Sequence, residues 1–312
     1  MSGRRPLRVK RMAWEAPGVV SVDLVAPDGA ALPPWEAGAH IDLHLPAAPV
    51  RQYSLCGDPD DHSAWRIAVR EVPGGVVSGL VHKALRPGAM VEAEGPRNSF
   101  PLVPSPSYLF IAGGIGITPI LPMLRATQRM GAQAALLFCA KRAEDAPFLD
   151  AARGLCQVSL HCSAEGTRLD VAAALAAVQP GTLLYCCGPE PLMKAVEAAA
   201  AHWPDGSLRF EWFAPKARPD SEGAGAFDVV CARSARTLRV EAGTSVLSAL
   251  RGAGLDLPSS CEQGVCGTCE CRVLEGEVEH RDSILSASER AANAAMMTCV
   301  SRAKGARLVL DI

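Results

Sequence analysis

Four cysteines near the carboxyl end of the chain constrain its fold more than any other feature. Cys261, Cys266 and Cys269 are separated by gaps of four and two residues, and Cys299 is a distant fourth candidate. This spacing is typical of the four thiolates that hold a [2Fe–2S] cluster. A zinc site is the alternative, but structural zinc sites usually join two short pairs of cysteines, whereas here the fourth cysteine stands alone. The spacing therefore favours an iron–sulfur centre. Cys271 is a second candidate for the fourth ligand, and we interpret it as a structural residue.

Length and charge narrow the class of protein. The chain has 312 residues and a mass of 32.7 kDa, which predicts two or three domains. A formal net charge of −2 provides no basic surface of the kind that binds nucleic acid. The longest uncharged stretch, residues 98–124, contains five prolines and cannot form one membrane-spanning helix. The first residues lack the apolar run of a signal peptide, so we expect a cytoplasmic protein with reduced thiols.

The pattern of strands and helices changes along the chain. Short strands broken by Pro and Gly run through residues 1–104, which predicts an antiparallel β-barrel domain. Apolar runs alternate with helical periodicity over residues 105–214, which predicts an α/β domain with a parallel, doubly wound sheet. Residues 215–225 are polar and rich in Pro and Gly, as is typical of a linker. Residues 226–312 then hold two strand-like runs, an amphipathic segment and the cysteine loop.

Two motifs predict a nucleotide crevice in the α/β domain. A glycine-rich turn at residues 113–119 follows a strand and leads into a helix, where backbone N–H groups can meet a phosphate. Pro119 replaces the third glycine of the usual dinucleotide fingerprint, so this motif alone is a weak indication. Residues 187–189 end a later strand, and the last strand ends with an acid and aromatic residues at 210–213. The crevice residues predicted here are Gly113, Gly114, Gly116, Thr118, Pro119, Cys187, Gly188 and Pro189.

A short strand of the barrel could hold a flavin. Side chains alternate along a strand, so Arg51, Tyr53 and Leu55 would share one face, with Gln52 and Ser54 on the other. A tyrosine ring can pack against a flavin, a hydroxyl can bond to its N5 atom, and an arginine can bind its phosphate. By itself this pattern also fits a surface arginine beside a half-buried tyrosine.

Together these motifs resemble the phthalate dioxygenase reductase family, a branch of the ferredoxin reductases that includes the reductase component of vanillate demethylase. The resemblance covers the whole chain in the order flavin domain, NAD domain and C-terminal ferredoxin. It implies a ferredoxin of the α+β, β-grasp type. It also implies FMN as the flavin, held by Arg51 at the phosphate, by Tyr53 against the ring and by Ser54 near N5.

The resemblance assigns further residues. Gly75 and Ser78 match the phosphate segment of the family, although Val76 and Val77 stand where polar residues are usual. Thr118 and Cys187 would flank the nicotinamide. Phe213 would shield the flavin until the nicotinamide displaces it, with Trp212 as the rival for that role. The cluster ligands would be Cys261, Cys266, Cys269 and Cys299.

The implied function is that of an NADH-dependent reductase. Electrons would pass from NADH to FMN, then singly through the [2Fe–2S] cluster to a separate acceptor. The acceptor implied by the resemblance is the terminal oxygenase of an aromatic-degrading system, either a Rieske-type oxygenase or an O-demethylase. A cytochrome P450 is the alternative acceptor. A redox-sensing iron–sulfur protein and a reductase that releases free reduced flavin are alternatives of other classes.

Acidic residues near the cluster loop predict a docking face for a basic acceptor. Glu275, Glu277 and Glu279 would share one face of an extended segment. A solvated surface is the alternative interpretation. The acids of this region are Glu262, Glu270, Glu275, Glu277, Glu279 and Asp282.

The choice between Cys299 and Cys271 as fourth ligand is open to a direct test. Replacing Cys299 with Ser should bleach the visible absorption of the cluster and lower the iron content. NADH oxidation with ferricyanide should continue, because the flavin and nucleotide sites are separate from the cluster. The matched variant Cys271→Ser should retain its iron. Loss of iron in Cys271→Ser but not in Cys299→Ser would show that the assignment is wrong.

Overall fold

The computed structural model describes residues 3–178, 180–215 and 225–312. It divides the chain into two compact units, Met1–Glu211 and Trp212–Ile312. The first unit contains two sheets, so the boundary predicted between residues 104 and 105 stays a prediction. Apart from its two end residues, the linker predicted at 215–225 lies outside the described residues. Within the described ranges, no helix is both long and apolar enough to cross a membrane.

The first part of this unit is the antiparallel barrel that the sequence predicts. Its six strands pair in the order β4-β3-β6-β1-β2-β5, and an isolated bridge between Leu55 and Ile67 connects the two ends of the sheet. Leu7, Ile41 and Trp65 are fully buried in the barrel core. The elements are β1 Arg5–Ala16, β2 Val19–Val25, β3 Ala39–His44, β4 Arg51–Ser54, β5 Trp65–Arg70, α1 Val76–Lys83 and β6 Met90–Asn98.

A parallel sheet of five strands forms the second part of this unit. The strand order β11-β10-β7-β8-β9 places β7 beside β10, so the connections run outward from this pair in opposite directions. Ligands of such sheets bind beyond the carboxyl ends of the strands at this switch point. The elements are β7 Ser107–Gly113, α2 Ile117–Met130, β8 Gln133–Ala140, α3 Leu149–Arg153, β9 Gln157–Cys162, α4 Val171–Leu175, β10 Thr182–Cys187, α5 Glu190–Ala199 and β11 Leu208–Glu211.

The second unit is an α+β domain. Its main sheet has the order β13-β12-β18-β14-β16, and a two-stranded ladder joins β15 to β17. Val246 and Leu250 on helix α6 pack with the sheet residues Val229 and Leu308 in one buried core. The elements are β12 Phe227–Cys231, β13 Arg236–Val240, α6 Val246–Gly252, β14 Glu270–Glu275, β15 Val278–Glu279, α7 Ala287–Ala292, β16 Ala295–Met297, β17 Arg302–Ala303 and β18 Arg307–Leu310.

Two buried tyrosines fasten the segment that connects the barrel to the parallel sheet. The Tyr185 hydroxyl accepts a hydrogen bond from the Val103 N–H at 2.7 Å and donates to the Pro101 carbonyl at 3.0 Å. The Tyr108 hydroxyl accepts from the Ser105 N–H at 2.7 Å and donates to the Val103 carbonyl at 2.9 Å. Backbone groups of this segment are therefore satisfied by side chains of β7 and β10.

Replacing Tyr185 with Phe should lower the free energy of unfolding by about 1–3 kcal/mol, because the partly buried Val103 N–H loses its acceptor and the Pro101 carbonyl loses its donor. Urea unfolding of the holoprotein measures the change. The control is Ser105→Ala, which removes the hydrogen bond from the Ser105 hydroxyl to the Gly181 carbonyl and should lower stability by less than Tyr185→Phe does, because that bond is exposed to solvent. Equal stability of Tyr185→Phe and the native protein would contradict the assigned role of the hydroxyl.

Candidate active site

The predicted flavin segment is strand β4, which is paired on one side with β3. His40 lies opposite Ser54, and Leu43 lies opposite Arg51. Arg51 is exposed, and its guanidinium donates to the Val50 carbonyl at 2.9 Å. Ser54 is buried. The strand thus presents an exposed cation at its start and a buried hydroxyl at its end.

The two middle residues of β4 have different surroundings. Tyr53 packs against the barrel core, and burial raises its pKa to about 12, so the phenol stays neutral at ordinary pH. The Gln52 amide donates to the Asp42 carboxylate at 3.0 Å, and that carboxylate also pairs with Arg97. Burial, aided by the charge of Arg97, lowers the pKa of His40 beside this network to about 4. The Gln52 side chain therefore holds β4 to β3.

Helix α1 begins at the predicted phosphate segment. Gly75 is its N-cap residue. The buried Ser78 hydroxyl donates to the Gly75 carbonyl at 3.4 Å and accepts from the Val72 N–H at 3.1 Å. A β-carbon on Gly75 would lie 2.6 Å from the Ser78 oxygen, so the glycine is required by this turn. The Ser78 hydroxyl is thus used to build the start of α1.

The glycine turn after β7 and the turn after β10 pack directly against each other. A β-carbon on Gly116 would lie 2.2 Å from the Cys187 carbonyl oxygen, and one on Gly113 would lie 2.4 Å from Pro189 Cδ. The Thr118 hydroxyl, in the first turn of α2, donates to the Ile115 carbonyl at 3.0 Å. The predicted crevice residues are therefore brought together at the switch point. These two glycines are explained by backbone packing as well as by access for a ligand.

Glu211, the partly buried acid at the end of the last strand, joins this crevice to the flavin segment, a role that the sequence analysis did not assign to it. Ser54 Oγ donates to Glu211 Oε2 at 3.3 Å. Glu211 lies opposite Cys187 in the pairing of β10 with β11. Burial raises the pKa of Glu211 to about 8, although the hydrogen bond from Ser54 acts to lower it. Burial also raises the pKa of Cys187, and the nearby Glu211 adds to that effect. At neutral pH the site therefore holds a neutral carboxyl and a neutral thiol.

The two aromatic residues that follow Glu211 differ in exposure. Phe213 is 44% exposed, whereas Trp212 is 6% exposed. Of the two rivals for the shielding role, Phe213 is the one with an accessible ring.

The four predicted cluster ligands form two pairs of thiols in the second unit. The Cys261 thiol hydrogen-bonds to Cys266, which lowers the pKa of Cys266. A hydrogen bond from Cys299 likewise lowers the pKa of Cys269. Among the described residues, no group of three or more His, Cys, Asp or Glu side chains converges as the ligands of a single metal ion would. Two thiol pairs match the ligand set of a two-iron cluster, which is held by four cysteine thiolates.

The cluster loop is held by a close backbone contact. Gly264 has φ +72°, and a β-carbon there would lie 2.6 Å from Val300 Cγ2 and 3.1 Å from Asp282 Cα. The Ser283 N–H donates to the Gly264 carbonyl at 2.9 Å. Cys271 packs in the main core of the unit, whereas Cys269 and Cys299 belong to a second cluster around Met297. This separation supports Cys271 as a structural residue.

The prediction that Glu275, Glu277 and Glu279 lie along one extended segment is wrong. Glu275 ends β14, and the turn at Gly276 separates it from Glu277 and Glu279. Glu277 pairs with Lys304, and Glu279 pairs with Arg281 at 2.8 Å. Asp282 is 3% exposed, and its carboxylate accepts from the N–H groups of Ile284 and Leu285. Glu262 pairs with Arg251 at 2.6 Å. The turn at Gly276 interrupts the acidic surface that the sequence alone predicts, and ion pairs with cations offset part of its charge. These cations are Arg251, Arg281 and Lys304.

Comparison with known proteins agrees with this architecture. Residues 229–304 match the family described as 2Fe-2S iron-sulfur cluster binding domain, and residues 30–101 match the family described as oxidoreductase FAD-binding domain. The phenoxybenzoate dioxygenase subunit beta of Ectopseudomonas oleovorans is 44% identical over 98% of this chain and 97% of its own length. The solved phthalate dioxygenase reductase is 35% identical, with a TM-score of 0.69, over 99% of this chain and 98% of its own.

The chain belongs to the phthalate dioxygenase reductase family. It is an oxidoreductase with a flavin-binding domain and a [2Fe–2S] domain. A type IV self-sufficient cytochrome P450 monooxygenase is also similar, with 41% identity and a TM-score of 0.90 over 99% of this chain. This chain spans 41% of the length of that P450.

The substitution Glu211→Gln tests whether the Glu211 carboxyl is protonated in the folded protein. The folded pKa of about 8 lies above the ordinary value of 4.5, so folding favours the protonated form. This contribution is fully present below the unfolded pKa, and native stability falls as pH rises toward 8, by up to about 1.4 kcal/mol per pH unit. Gln does not titrate, so the variant should gain in melting temperature relative to the native protein between pH 5 and 8.

Thermal unfolding at several pH values measures this difference. Glu36→Gln is the control because Glu36 is an exposed carboxylate of the barrel unit. Its melting temperature should keep a constant offset from that of the native protein. Parallel curves for Glu211→Gln and the native protein would contradict the raised pKa.

Proposed function

We propose that the chain is the NADH-dependent reductase component of an oxygenase system, with FMN as its flavin and a Rieske-type aromatic oxygenase or O-demethylase as its acceptor. When bound, the flavin accepts the electron pair of a hydride, and the cluster carries electrons singly. The observation that carries this proposal is the hydrogen bond between Ser54 and Glu211 beside Cys187. It connects the flavin strand to the mouth of the nucleotide crevice.

The residues of the first unit would bind and orient two ligands. Arg51 would bind the FMN phosphate, since its exposed guanidinium is bonded only to a carbonyl of its own segment in the described contacts. Tyr53 would pack against the ring and Ser54 would lie near its reactive nitrogen. Gly75 and Ser78 would contribute to phosphate binding by shaping the turn at the start of α1. Leu55 fixes the end of the strand in the barrel core.

The crevice would receive the nicotinamide between Thr118 and Cys187. The neutral thiol and neutral carboxyl there leave a site without fixed charge, which suits the uncharged reduced nicotinamide ring. Backbone N–H groups at the start of α2 would meet the pyrophosphate. Phe213 would cover the flavin in the absence of nucleotide.

We expect NADH to be preferred to NADPH, although the loop after β8 carries Lys141 and Arg142, where a 2′-phosphate could bind. The Arg142 guanidinium lies 3.6 Å from Glu144, so its charge is partly neutralised. The Arg142 N–H donates to Asp145 at 3.2 Å, and the Ala143 N–H donates to Glu165 at 3.0 Å. Two backbone N–H groups of this loop are thus already bonded to carboxylates, which leaves them less available to a 2′-phosphate.

The cluster would be held by Cys261 and Cys266 on one iron and by Cys269 and Cys299 on the other. The two thiol pairs of the loop support this distribution. A cytochrome P450 is the second candidate acceptor, because a P450 is fused to the similar chain described above.

The experiment reconstitutes the purified holoprotein with a Rieske-type oxygenase and, separately, with a P450, under NADH or NADPH. We expect product formation with the Rieske-type oxygenase, FMN as the flavin released on denaturation, and a catalytic efficiency at least tenfold higher with NADH. Cys261→Ser is the matched control, which should keep NADH oxidation by ferricyanide but lose product formation. Product with the P450 alone would move the assignment to the second candidate. NADH oxidation too slow to support any acceptor would indicate a sensing protein.

A further inference from the structure

An apolar seam lies between the barrel and the parallel sheet of the first unit. On the barrel side Ala16, Val19, Cys56 and Ala68 form a buried cluster in which no member is more than 8% exposed. On the other side Ile115 and Phe148 are the partly buried residues that pack against it. Phe148 also packs against the core of the parallel sheet. Its ring therefore touches both halves of the unit.

The backbone of Phe148 is strained. It has φ +58° and ψ +20°, in the left-handed region that bulky residues seldom adopt. Such a conformation costs about 1–3 kcal/mol and persists only where the surroundings require it. Phe148 is the N-cap residue of α3, and its carbonyl accepts from the Ala152 N–H at 2.9 Å. A glycine would adopt this conformation without strain. The phenylalanine instead combines a strained backbone with a ring that contacts both halves of the unit.

Both sides of the seam lead directly to residues of the candidate active site. Cys56 is two residues beyond Ser54 on the barrel side. Ile115 belongs to the glycine turn, and its carbonyl accepts the hydrogen bond from the Thr118 hydroxyl. A change in the distance across the seam would therefore move Thr118 relative to Ser54.

An ion-pair cluster also joins the barrel half to the half with the parallel sheet. Arg129, near the end of α2, donates to both oxygens of Asp58 at 2.6 and 2.7 Å and lies 2.9 Å from Asp60. Asp58 is four residues beyond Ser54, and α2 is the helix that carries Thr118 near its start. Because these groups are partly exposed, their effect on stability is small, but they connect the same two halves of the unit that Phe148 contacts.

We propose that Phe148 is a positioning residue that sets the approach of the nicotinamide to the flavin by spacing the NAD-binding half from the barrel. This inference rests on the proposed function. Hydride transfer requires the reacting atoms to be about 3–3.5 Å apart, and a displacement of about 1 Å can slow it a hundredfold. The ring and the Arg129 ion pairs would hold that distance.

The test measures flavin reduction by NADH in the anaerobic holoprotein, using stopped-flow absorbance at several NADH concentrations. Phe148→Ala should slow the limiting rate at least tenfold with a half-saturating NADH concentration within about twofold of the native value. Phe148→Gly should be equally slow, although its backbone is relaxed. Phe148→Leu, which keeps apolar bulk, should stay within about threefold of the native rate. The reduced-cluster EPR signal after chemical reduction should be unchanged in all three.

Two controls separate positioning from strain and folding. Ala235→Gly relieves another left-handed residue, at φ +51° in the second unit, and should leave flavin reduction unchanged. Arg129→Met removes only the partly exposed ion pairs, so it should fold and show a smaller decrease in the limiting rate.

Native rates in both Phe148→Ala and Arg129→Met would overturn this inference while leaving the proposed function intact. A native rate in Phe148→Gly alone would also overturn it, since strain would then be the cause. Failure of NADH to reduce the flavin of the native protein would instead overturn the proposed function and the inference with it.

Discussion

The site depends on the close approach of two backbone turns at the switch point of the parallel sheet. β7 and β10 are neighbours, and the turns that follow them are in contact because Gly113 and Gly116 have no side chains. This contact places Cys187 beside the start of α2. The pairing of β11 with β10 places Glu211 beside Cys187, where it accepts a hydrogen bond from Ser54 on the barrel. Any larger residue at position 116 would collide with the Cys187 carbonyl and separate these elements.

The electrostatics of the two centres differ for physical reasons. In the first unit, burial keeps Tyr53, Cys187 and Glu211 neutral, which limits the fixed charge around a ligand that itself carries phosphates. In the second unit, thiol pairing lowers the pKa of one member of each pair, Cys266 and Cys269, and raises the pKa of the other, Cys261 and Cys299. The chain thus combines a neutral crevice with two thiol pairs in which one sulfur ionises more readily than the other.

Much of the fold could be predicted because its signals are local. The strands Val19–Val25 and Gln157–Cys162 show as apolar runs between turn residues, and the cysteine spacing lies within one loop. Helix α2 starts at Ile117 because Pro119 suits the first turn of a helix. The partnership of Ser54 with Glu211 joins residues 157 positions apart, so sequence patterns could not reveal it. The acid at the end of the last strand was the only available signal.

Other features could not be predicted because they depend on tertiary contacts. The row of acids near the cluster was expected from alternation alone, but the turn at Gly276 and the cation Lys304 are placed by folding. The hydroxyl of Ser78 was expected at a phosphate, yet it completes the turn before α1. Phe148 gave no pattern in the sequence, because its left-handed backbone and its two-sided packing exist only in the folded unit.

Electrons from NADH should reach the iron–sulfur centre of the same chain through the flavin. The most direct measurement mixes the anaerobic holoprotein with one equivalent of NADH, follows flavin absorbance by stopped flow, and records the EPR signal of the reduced cluster in samples frozen at matched times. We expect the flavin absorbance to bleach first and the EPR signal of the reduced cluster to appear afterwards, without any added protein. A cluster that stays oxidised while the flavin is fully reduced would contradict it.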